Sequence, residues 1–173
     1  MTISNNSREN AQPRVGRPIG PKGYGIPETE ENLLPWGYVQ ERMEAALNYW
    51  ICTTRPNGRP HTNPIWGAWL DDTLYIEGSP ETRWARNLAA NPAISVHLES
   101  GTEAVILDGE AHEVPRPAPE LAQRLSKAFS AKYAPLGYTP GPDNWDHGGL
   151  VAIHTKTALA WAHFPTDATR FAF

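Results

Sequence analysis

Two tight-turn signals divide residues 49–78 into three short segments, and this division constrains the fold more than any other feature of the sequence. Asn57-Gly58 is the strongest short-range signal for a β-hairpin, because both residue types tolerate the positive φ angles of a tight turn. Asp71-Asp72 marks a second turn. The segments around them are rich in aromatic and β-branched residues, which favour strands. The sequence therefore predicts three antiparallel strands in succession.

Proline and apolar spacing locate the remaining elements. Pro60 and Pro64 have no N–H to donate, so we expect both at a strand end, a sheet edge or a bulge. Further strands are predicted at residues 93–100, 104–114 and 150–164. Helices are predicted within residues 36–50, from Ser79 to about Ala90, and over residues 118–134. On the first of these helices, one face carries Val39, Met43, Ala46 and Leu47.

Strands that outnumber helices and do not alternate strictly with them indicate a mainly β (α+β) fold, an antiparallel barrel of five or six strands with a few peripheral helices. The 14 glycines and 17 prolines agree with the many turns of such a fold. Residues 1–30 show neither a helical nor an alternating pattern, so we expect an extended N-terminal arm. Residues 31–173 are predicted to form one domain.

Composition excludes several classes of function. A net charge of −4 argues against a protein that coats nucleic acid, although it is compatible with one small anion in a local pocket. The single cysteine, Cys52, excludes an internal disulfide and a multi-thiolate metal site. No apolar run approaches the ~20 residues that cross a bilayer, and the N-terminus lacks a signal-peptide pattern. We expect a cytoplasmic protein without nucleic-acid or membrane partners.

The familiar catalytic and metal-binding patterns are missing from the sequence. No two histidines have the spacing of a zinc-protease helix, and no serine has the context of a nucleophile elbow. Cys52 lies in the middle of a predicted strand, where a buried packing role is expected. We therefore predict no catalytic side chain and no metal ligand; the alternative is a metal site that histidines distant in the sequence form together in the fold. The histidines concerned are His61, His97, His112, His147, His154 and His163.

The start of the second predicted helix has the composition of a phosphate site. Ser79 is a suitable N-cap and Pro80 suits the first helical position, so the free N–H groups of the first turn would face outward. Thr82 adds a hydroxyl group, and Arg83 and Arg86 share one side of the helix. Such donors together bind phosphate. The alternative is that both arginines are solvated or paired with nearby acidic residues such as Glu77 and Glu81.

The order of elements over residues 53–99 resembles the core of the pyridoxamine 5′-phosphate oxidase-like superfamily, which comprises flavin- and deazaflavin-binding split β-barrels. The matching features are the Asn-Gly hairpin, the strand "RPHTNPIW", the strand "DDTLYIEG" and the helix "TRWARNLAANP". The closing "AWAHFPTDATRFAF" is similar to the tail of a subgroup that includes proteins using the deazaflavin coenzyme F420. The resemblance implies a homodimer of six-stranded antiparallel split barrels, with the cofactor in a groove between the subunits.

The resemblance also implies which residues bind the cofactor. The residues along the ring and ribityl portion of the cofactor would be Asn63, Pro64, Ile65 and Trp66. The residues around its phosphate would be Gly78, Ser79, Thr82, Arg83 and Asn87. Many members carry Lys or Arg where this chain has Trp84, so Arg83 or Arg86 would take over that contact, unless Arg86 only holds the helix to the barrel. His61 either donates to the cofactor or faces solvent. Trp145 and His147 lie in a loop that either covers the groove or simply connects two elements.

Two functions fit this reading. The first is an FMN- or F420-dependent oxidoreductase that transfers hydride to or from a small organic substrate. The second is a non-catalytic protein that binds or carries a flavin or another cofactor. F420 has a longer anionic tail than FMN, and Arg55 and Arg59 either serve that tail or keep the hairpin turn in solution.

Overall fold

The computed structural model describes residues 12–173, and in this range nine strands form one antiparallel sheet on which three α-helices pack. The prediction of an extended arm falls partly on residues 1–11, which lie outside the described residues. No helix within residues 12–173 is long and apolar enough to cross a membrane. The strands are β1 (Arg14–Gly16), β2 (Tyr49–Thr54), β3 (Pro60–Ile65), β4 (Gly67–Leu70), β5 (Thr73–Glu77), β6 (Ala93–His97), β7 (Ala104–Val114), β8 (Leu150–Trp161) and β9 (Thr169–Ala172). The helices are α1 (Trp36–Ala45), α2 (Arg83–Ala90) and α3 (Pro119–Tyr133), and short 3₁₀ turns occupy Ala134–Leu136 and Pro142–Trp145.

Strand β8 joins the parts of the sheet. Neighbouring strands are hydrogen-bonded along the path β1-β9-β8-β7-β6-β2-β3, and β5 pairs with β4 on one side and with β8 on the other. All of these pairings are antiparallel. The predicted mainly β, antiparallel fold with a few peripheral helices is thereby confirmed.

Both turn signals form the predicted turns. The hairpin around Asn57-Gly58 closes through a hydrogen bond from the Arg55 N–H to the Arg59 carbonyl at 2.9 Å, and Gly58 has a φ of 80°. Asp71 and Asp72 have φ angles of 49° and 57° and connect β4 to β5. The left-handed backbone at Asp71 and Asp72 matches the right-handed twist of the flanking strands. Residues that tolerate positive φ angles are therefore common in hairpin turns.

The chain changes partner strands at Trp66. The run predicted as one strand over residues 60–70 is divided, since β3 pairs with β2 whereas β4 pairs with β5. A Cβ atom at Gly67 would lie 2.9 Å from the Tyr75 carbonyl oxygen, so glycine is needed for this close approach. Strand β3 ends the sheet path, which confirms the expectation that Pro60 and Pro64 tolerate an edge position.

Two apolar clusters form the core. The first lies between α1, α2 and the concave side of the sheet, where Val39, Met43 and Ile51 are completely buried. The second lies between α3 and the strands β4 and β8, around Phe129 and Tyr133. The predicted face of α1 is correct except at Leu47, which is 49% exposed because the helix ends at Ala45 and the chain turns into an extended conformation.

Cys52 is half-buried, not fully buried as its mid-strand position suggested. It lies opposite Thr62 on the outer side of the β2–β3 pair, and the Thr62 hydroxyl donates to its Sγ at 3.3 Å.

Segments near the two ends of the described chain lie side by side. Strand β1 pairs with β9, in a tail for which the sequence predicted no strand. The Arg17 guanidinium donates to the carbonyl oxygens of Thr29, Thr166 and Ala168 at 2.8, 3.0 and 3.0 Å, and also to that of Glu31. One side chain thus fastens residues 17–31 to the turn before β9.

Candidate functional site

Strand β3 presents the predicted ring-binding residues on two different faces. His61 and Asn63 pair with Thr53 and Ile51 of β2, so their side chains lie on the concave, core side of the sheet. Ile65 shares this side. Pro64 pairs with Trp50 and lies on the opposite, outer side. The alternation of side chains along a strand therefore separates Pro64 from the other predicted contacts of the ring.

The concave side of β3 carries polar atoms without partners. Among the described residues, four buried side-chain nitrogen or oxygen atoms have no hydrogen-bond partner, and two of them are His61 Nδ1 and Asn63 Oδ1. The amide group of Asn63 donates only to the carbonyl oxygen of Pro64, at 3.1 Å. A buried polar atom without a hydrogen-bond partner lowers the free energy of unfolding by about 1–3 kcal/mol. These two atoms therefore mark a place where a bound polar group would add stability.

Asn87 connects α2 to this strand pair. It is fully buried, and its Nδ2 donates a hydrogen bond to Thr53 Oγ1 at 2.9 Å. The Thr53 hydroxyl in turn donates to the His61 carbonyl oxygen at 3.4 Å. Its Oδ1 is a third of the four unpartnered atoms. The structure therefore places Asn87 between helix and sheet, below the surface on which a phosphate would lie.

Helix α2 begins three residues later than predicted. Its N-cap is Thr82, whose Oγ1 accepts from the Ala85 N–H at 3.4 Å. Ser79, the predicted cap, instead begins a turn in which its carbonyl accepts from the Thr82 N–H and hydroxyl at 3.0 and 2.8 Å. Threonine caps helices nearly as well as serine, and Pro80 fits a turn equally well. The N-terminus of α2 therefore lies directly at Arg83.

Arg83 and Arg86 are exposed, and within residues 12–173 neither forms an ion pair or a side-chain hydrogen bond. No acceptor within this range binds the N–H groups of Arg83 and Trp84 at the helix start. The alternative of pairing with Glu77 or Glu81 is therefore not what the structure shows. Two free guanidinium groups at the positive end of a helix dipole are suited to bind an anion.

Trp84 lies in the core and not at the surface. Its ring is 6% exposed and packs against Gly78, where an added Cβ atom would lie 2.8 Å from the ring. The position at which the resemblance implied a basic residue is thus used here for packing. Gly78 permits this packing because it has no side chain.

The loop before β8 docks on Gly78. The Gly78 N–H donates to the Gly149 carbonyl at 3.0 Å, and Gly149 has a φ of 86°. A Cβ atom at Gly149 would lie 3.0 Å from the Gly78 carbonyl oxygen. This close backbone contact brings residues 134–149 to the candidate site. They are part of the segment 115–149, whose position relative to the barrel could not be predicted from the sequence.

Glu77 anchors the same loop. Its carboxylate accepts hydrogen bonds from the Tyr138 hydroxyl, from Asn144 Nδ2 at 3.1 Å and from Trp145 Nε1. Burial, and secondly the hydrogen bond to Glu77, raise the pKa of the Tyr138 hydroxyl, so this group stays protonated and donates. Trp145 is buried, whereas His147 is exposed. Trp145 therefore helps to hold the loop on the sheet.

A cavity of about 420 Å³ lies between these groups and Trp66. Tyr133 stacks on the Trp66 indole with ring centroids 4.6 Å apart and an angle of 9° between the ring planes. The lining contains Trp66, Glu77, Tyr138, Asn144 and Trp145, and the backbone of three glycines completes it. Sequence reasoning identified Trp66 and Gly78 but missed Glu77, Tyr138 and Asn144. The Gly148-Gly149 pair was the one local signal that the loop approaches another backbone closely.

The other predicted groups are placed as follows. Arg55 and Arg59 are exposed at the β2–β3 hairpin. Ser79 is exposed, and its Oγ accepts from the Glu81 N–H at 3.2 Å. Within the described range, no cluster of three or more His, Cys, Asp or Glu side chains is arranged to hold a metal ion.

Comparison with known proteins identifies a family. A family model described as pyridoxamine 5′-phosphate oxidase matches residues 38–159. No curated protein matches the chain. The match includes β2 to β7, α2 and most of β8, and thus nearly all of the site residues described above.

Solved structures share the fold. A conserved hypothetical protein of Mycobacterium tuberculosis is 21% identical, with a TM-score of 0.63 over 79% of this chain and 89% of its own. An F420 reductase is 22% identical, with a TM-score of 0.56 over 72% of this chain and 98% of its own. A FAD-binding protein of Mesorhizobium loti is 19% identical, with a TM-score of 0.56 over 81% of this chain and 95% of its own.

Proposed function

Because the chain belongs to the pyridoxamine 5′-phosphate oxidase family, we propose that it is an oxidoreductase that binds FMN, or the deazaflavin F420 in its place, and transfers hydride to or from a small organic substrate. When bound, such a cofactor accepts and returns the hydride itself. The protein then needs no nucleophile and no acid–base pair. Its own residues have to bind the cofactor, orient it and exclude water.

The unpaired arginines at the start of α2 carry the proposal. Arg83 and Arg86 have no acidic partner within residues 12–173, and the Arg83 and Trp84 N–H groups beside them lack acceptors. A phosphate is the cofactor group that matches such donors, because its oxygens accept several charge-assisted hydrogen bonds at once. The phosphate end of the cofactor would lie at Thr82, Arg83 and Arg86.

The concave side of β3 supports a position for the ring. His61 Nδ1 and Asn63 Oδ1 are polar atoms in need of partners, and the ring system of a flavin or deazaflavin has an edge of carbonyl and N–H groups. Trp66 follows directly on this strand and adds an aromatic surface. Buried Asn87 would act indirectly, by holding α2 and its arginines against β2.

We further propose a homodimer with the cofactor at the subunit interface, beside the edge strand β3, which has one side facing the cofactor and the other facing the second copy. On the outer side of the sheet, directly paired residues of five strands form a row that is half-buried except at exposed Pro64. Trp50 and His97 stack within it, with parallel rings 6.2 Å apart. Such a mostly apolar row suits a second copy of the chain. Its members are Pro64, Trp50, His97, Ile106 and Leu159. Sedimentation should give twice the mass of the chain at micromolar concentration, and a monomer would contradict the proposal.

Cofactor titration tests the central claim. The purified protein is titrated with FMN and with F420 while the visible spectrum of the cofactor is recorded. We expect saturable binding of one of them, and absence of binding to both would overturn the proposal. Replacing Arg55 and Arg59 by alanine should weaken binding of F420 and leave that of FMN unchanged, because only F420 has a tail long enough to need them.

Redox activity separates the enzyme from a carrier. Bleaching of the bound cofactor by a nicotinamide reductant, or reoxidation by a test substrate, supports the oxidoreductase. A cofactor that stays bound through repeated purification and does not change redox state under either treatment supports the non-catalytic alternative.

A further inference from the structure

The cavity between β5 and the loop of residues 134–149 has the size of a small-molecule site. Its volume of about 420 Å³ falls within the range of ligand pockets, roughly 300–1,000 Å³. It adjoins the proposed cofactor contacts only through Trp66 and Gly78. Glu77, Tyr138 and Asn144 have no role in cofactor binding as proposed above.

The charge in this cavity is negative and fixed in place. Glu77 supplies a carboxylate, and all three side chains that donate to it are neutral. The lining contains no lysine or arginine. A carboxylate offers about four acceptor positions, so one remains for a ligand. The cavity therefore attracts cations and repels anions, in contrast to the start of α2.

The walls of the cavity are aromatic. Trp66, Tyr138 and Trp145 contribute to the lining, and the Tyr133 ring stacked on Trp66 fixes its orientation. Aromatic faces attract cations, tryptophan most strongly, and they stack on other planar rings. A carboxylate among aromatic rings is a combination that recognises positive charge and a flat shape together.

The site is organised before a ligand arrives. The hydrogen bonds from Tyr138, Asn144 and Trp145 hold the Glu77 carboxylate in one position. The close contact between Gly78 and Gly149 holds the loop. A ligand would therefore not have to order the groups that bind it, and this lowers the free-energy cost of binding.

We propose that this cavity binds a planar aromatic molecule that carries a positively charged nitrogen, with the charge near Glu77 and the ring against Trp66 and Tyr138. This molecule is the substrate class of the oxidoreductase. That identification rests on the proposed function, whereas the binding itself does not.

Tryptamine is the probe, because it joins a planar indole to an ammonium group. Its binding to the full-length protein at pH 7 is measured by calorimetry, and indole-3-acetate serves as the probe of opposite charge. We expect tryptamine to bind and indole-3-acetate to bind at least tenfold more weakly. Equal affinity for the two probes, or no binding of tryptamine, would overturn the inference.

Two variants locate the charge. Glu77→Gln removes the negative charge from the cavity, and Glu81→Gln removes one from a nearby exposed position outside the lining. We expect Glu77→Gln to weaken tryptamine binding at least tenfold and Glu81→Gln to leave it unchanged. An unchanged affinity in folded Glu77→Gln would contradict the inference.

A measurement on the unmodified protein remains decisive if Glu77→Gln fails to fold. The Trp145 Nε1–H group donates to Glu77, so its NMR signal reports on that carboxylate. Tryptamine should shift the indole N–H signals of Trp145 and Trp66, while the signal of Trp50 on the outer face stays in place. Shifts at Trp50 alone would place the ligand elsewhere and refute the inference.

These results are distinguishable from a failure of the proposed function. Tryptamine binding is measured without added cofactor, and cofactor titration is carried out without tryptamine. Absence of tryptamine binding with cofactor binding intact overturns only the cation site. Absence of cofactor binding with tryptamine binding intact overturns only the proposed cofactor chemistry.

Discussion

The side-chain amide of Asn87 donates a hydrogen bond to the Thr53 hydroxyl at 2.9 Å, and this buried contact joins α2 to β2. Asn87 has no exposed surface and Thr53 has 3%. The contact therefore sets the height of the helix above the strands, and with it the position of the arginines on the first turn of α2.

Removing this contact should destabilise the protein. Asn87→Ala deletes a buried hydrogen-bonding group, so we expect the free energy of unfolding to fall by about 1–3 kcal/mol in urea titrations. A double-mutant cycle with Thr53→Val measures the coupling between the two residues. Strictly additive losses would show that the hydrogen bond contributes nothing. Asn91→Ala, at an exposed amide that accepts from the Ala93 N–H, is the matched control and should cost less.

The exposed arginines of α2 should matter for cofactor binding and not for stability. Arg83→Ala should weaken the affinity for FMN or F420 by about 1.5–3 kcal/mol, the range for a hydrogen bond to a charged group. The free energy of unfolding should not change, because Arg83 has no partner within residues 12–173.

Arg86→Ala tests the neighbouring cation in the same titration, and Arg14→Ala, on exposed β1, serves as control. An effect of Arg86→Ala alone would place the phosphate nearer the middle of the helix. Equal affinities in all three variants would remove the phosphate from α2.

Gly149 and Gly137 allow backbone strain to be separated from close contact. Their φ angles are 86° and 85°, but an added Cβ would lie 3.0 Å from the Gly78 carbonyl oxygen at Gly149 and would meet nothing within 4 Å at Gly137. Both alanine variants incur the left-handed strain of about 1 kcal/mol. Only Gly149→Ala should also displace the loop, which is measured as a larger loss of unfolding free energy and weaker tryptamine binding. Equal losses would mean that the loop does not depend on this contact.

Lys132 should make the free energy of unfolding depend on pH in the alkaline range. Its Nζ donates to the Ala46 carbonyl and the Tyr49 hydroxyl at 2.9 and 2.6 Å, and burial lowers its pKa from 10.5 to about 8. Between pH 8 and 10.5 the unfolded chain therefore holds more protons at this site than the folded chain does. Under that condition, the free energy of unfolding rises with pH.

The Lys132→Met variant lacks this titration. We expect the difference in unfolding free energy, wild type minus variant, to increase from pH 8 to pH 10 in urea titrations. A difference that stays constant over this interval would show that the amine titrates alike in both states.

The parts of the fold that depend on neighbouring residues were predictable from the sequence. The Asn57-Gly58 and Asp71-Asp72 turns require particular φ angles, and the residues that tolerate them are visible in the chain. The helix cap was harder, since Ser79 and Thr82 are both good capping residues. The structure shows that Thr82 caps the helix, while Ser79 begins a turn.

The parts that depend on distant residues were not predictable. The change of partner strands at Trp66 results from β4 pairing with β5, and nothing within β3 signals it. Glu77 appeared only as an acceptor for nearby arginines, because its actual partners lie 61 to 68 positions further along the chain. Aromatic and amide side chains in a Gly- and Pro-rich loop carry no pattern that points to one carboxylate.

Strand β8 hydrogen-bonds to three other strands, to β5 at its start, to β9 at its end and to β7 along its length. Both edges of β8 are therefore paired along most of its length. We expect that exchange of its amide protons with deuterium requires several strands to separate together. Since Gly149, which contacts Gly78, directly precedes Leu150 at the start of β8, the loop over the cavity is tethered to a strand that we expect to open slowly.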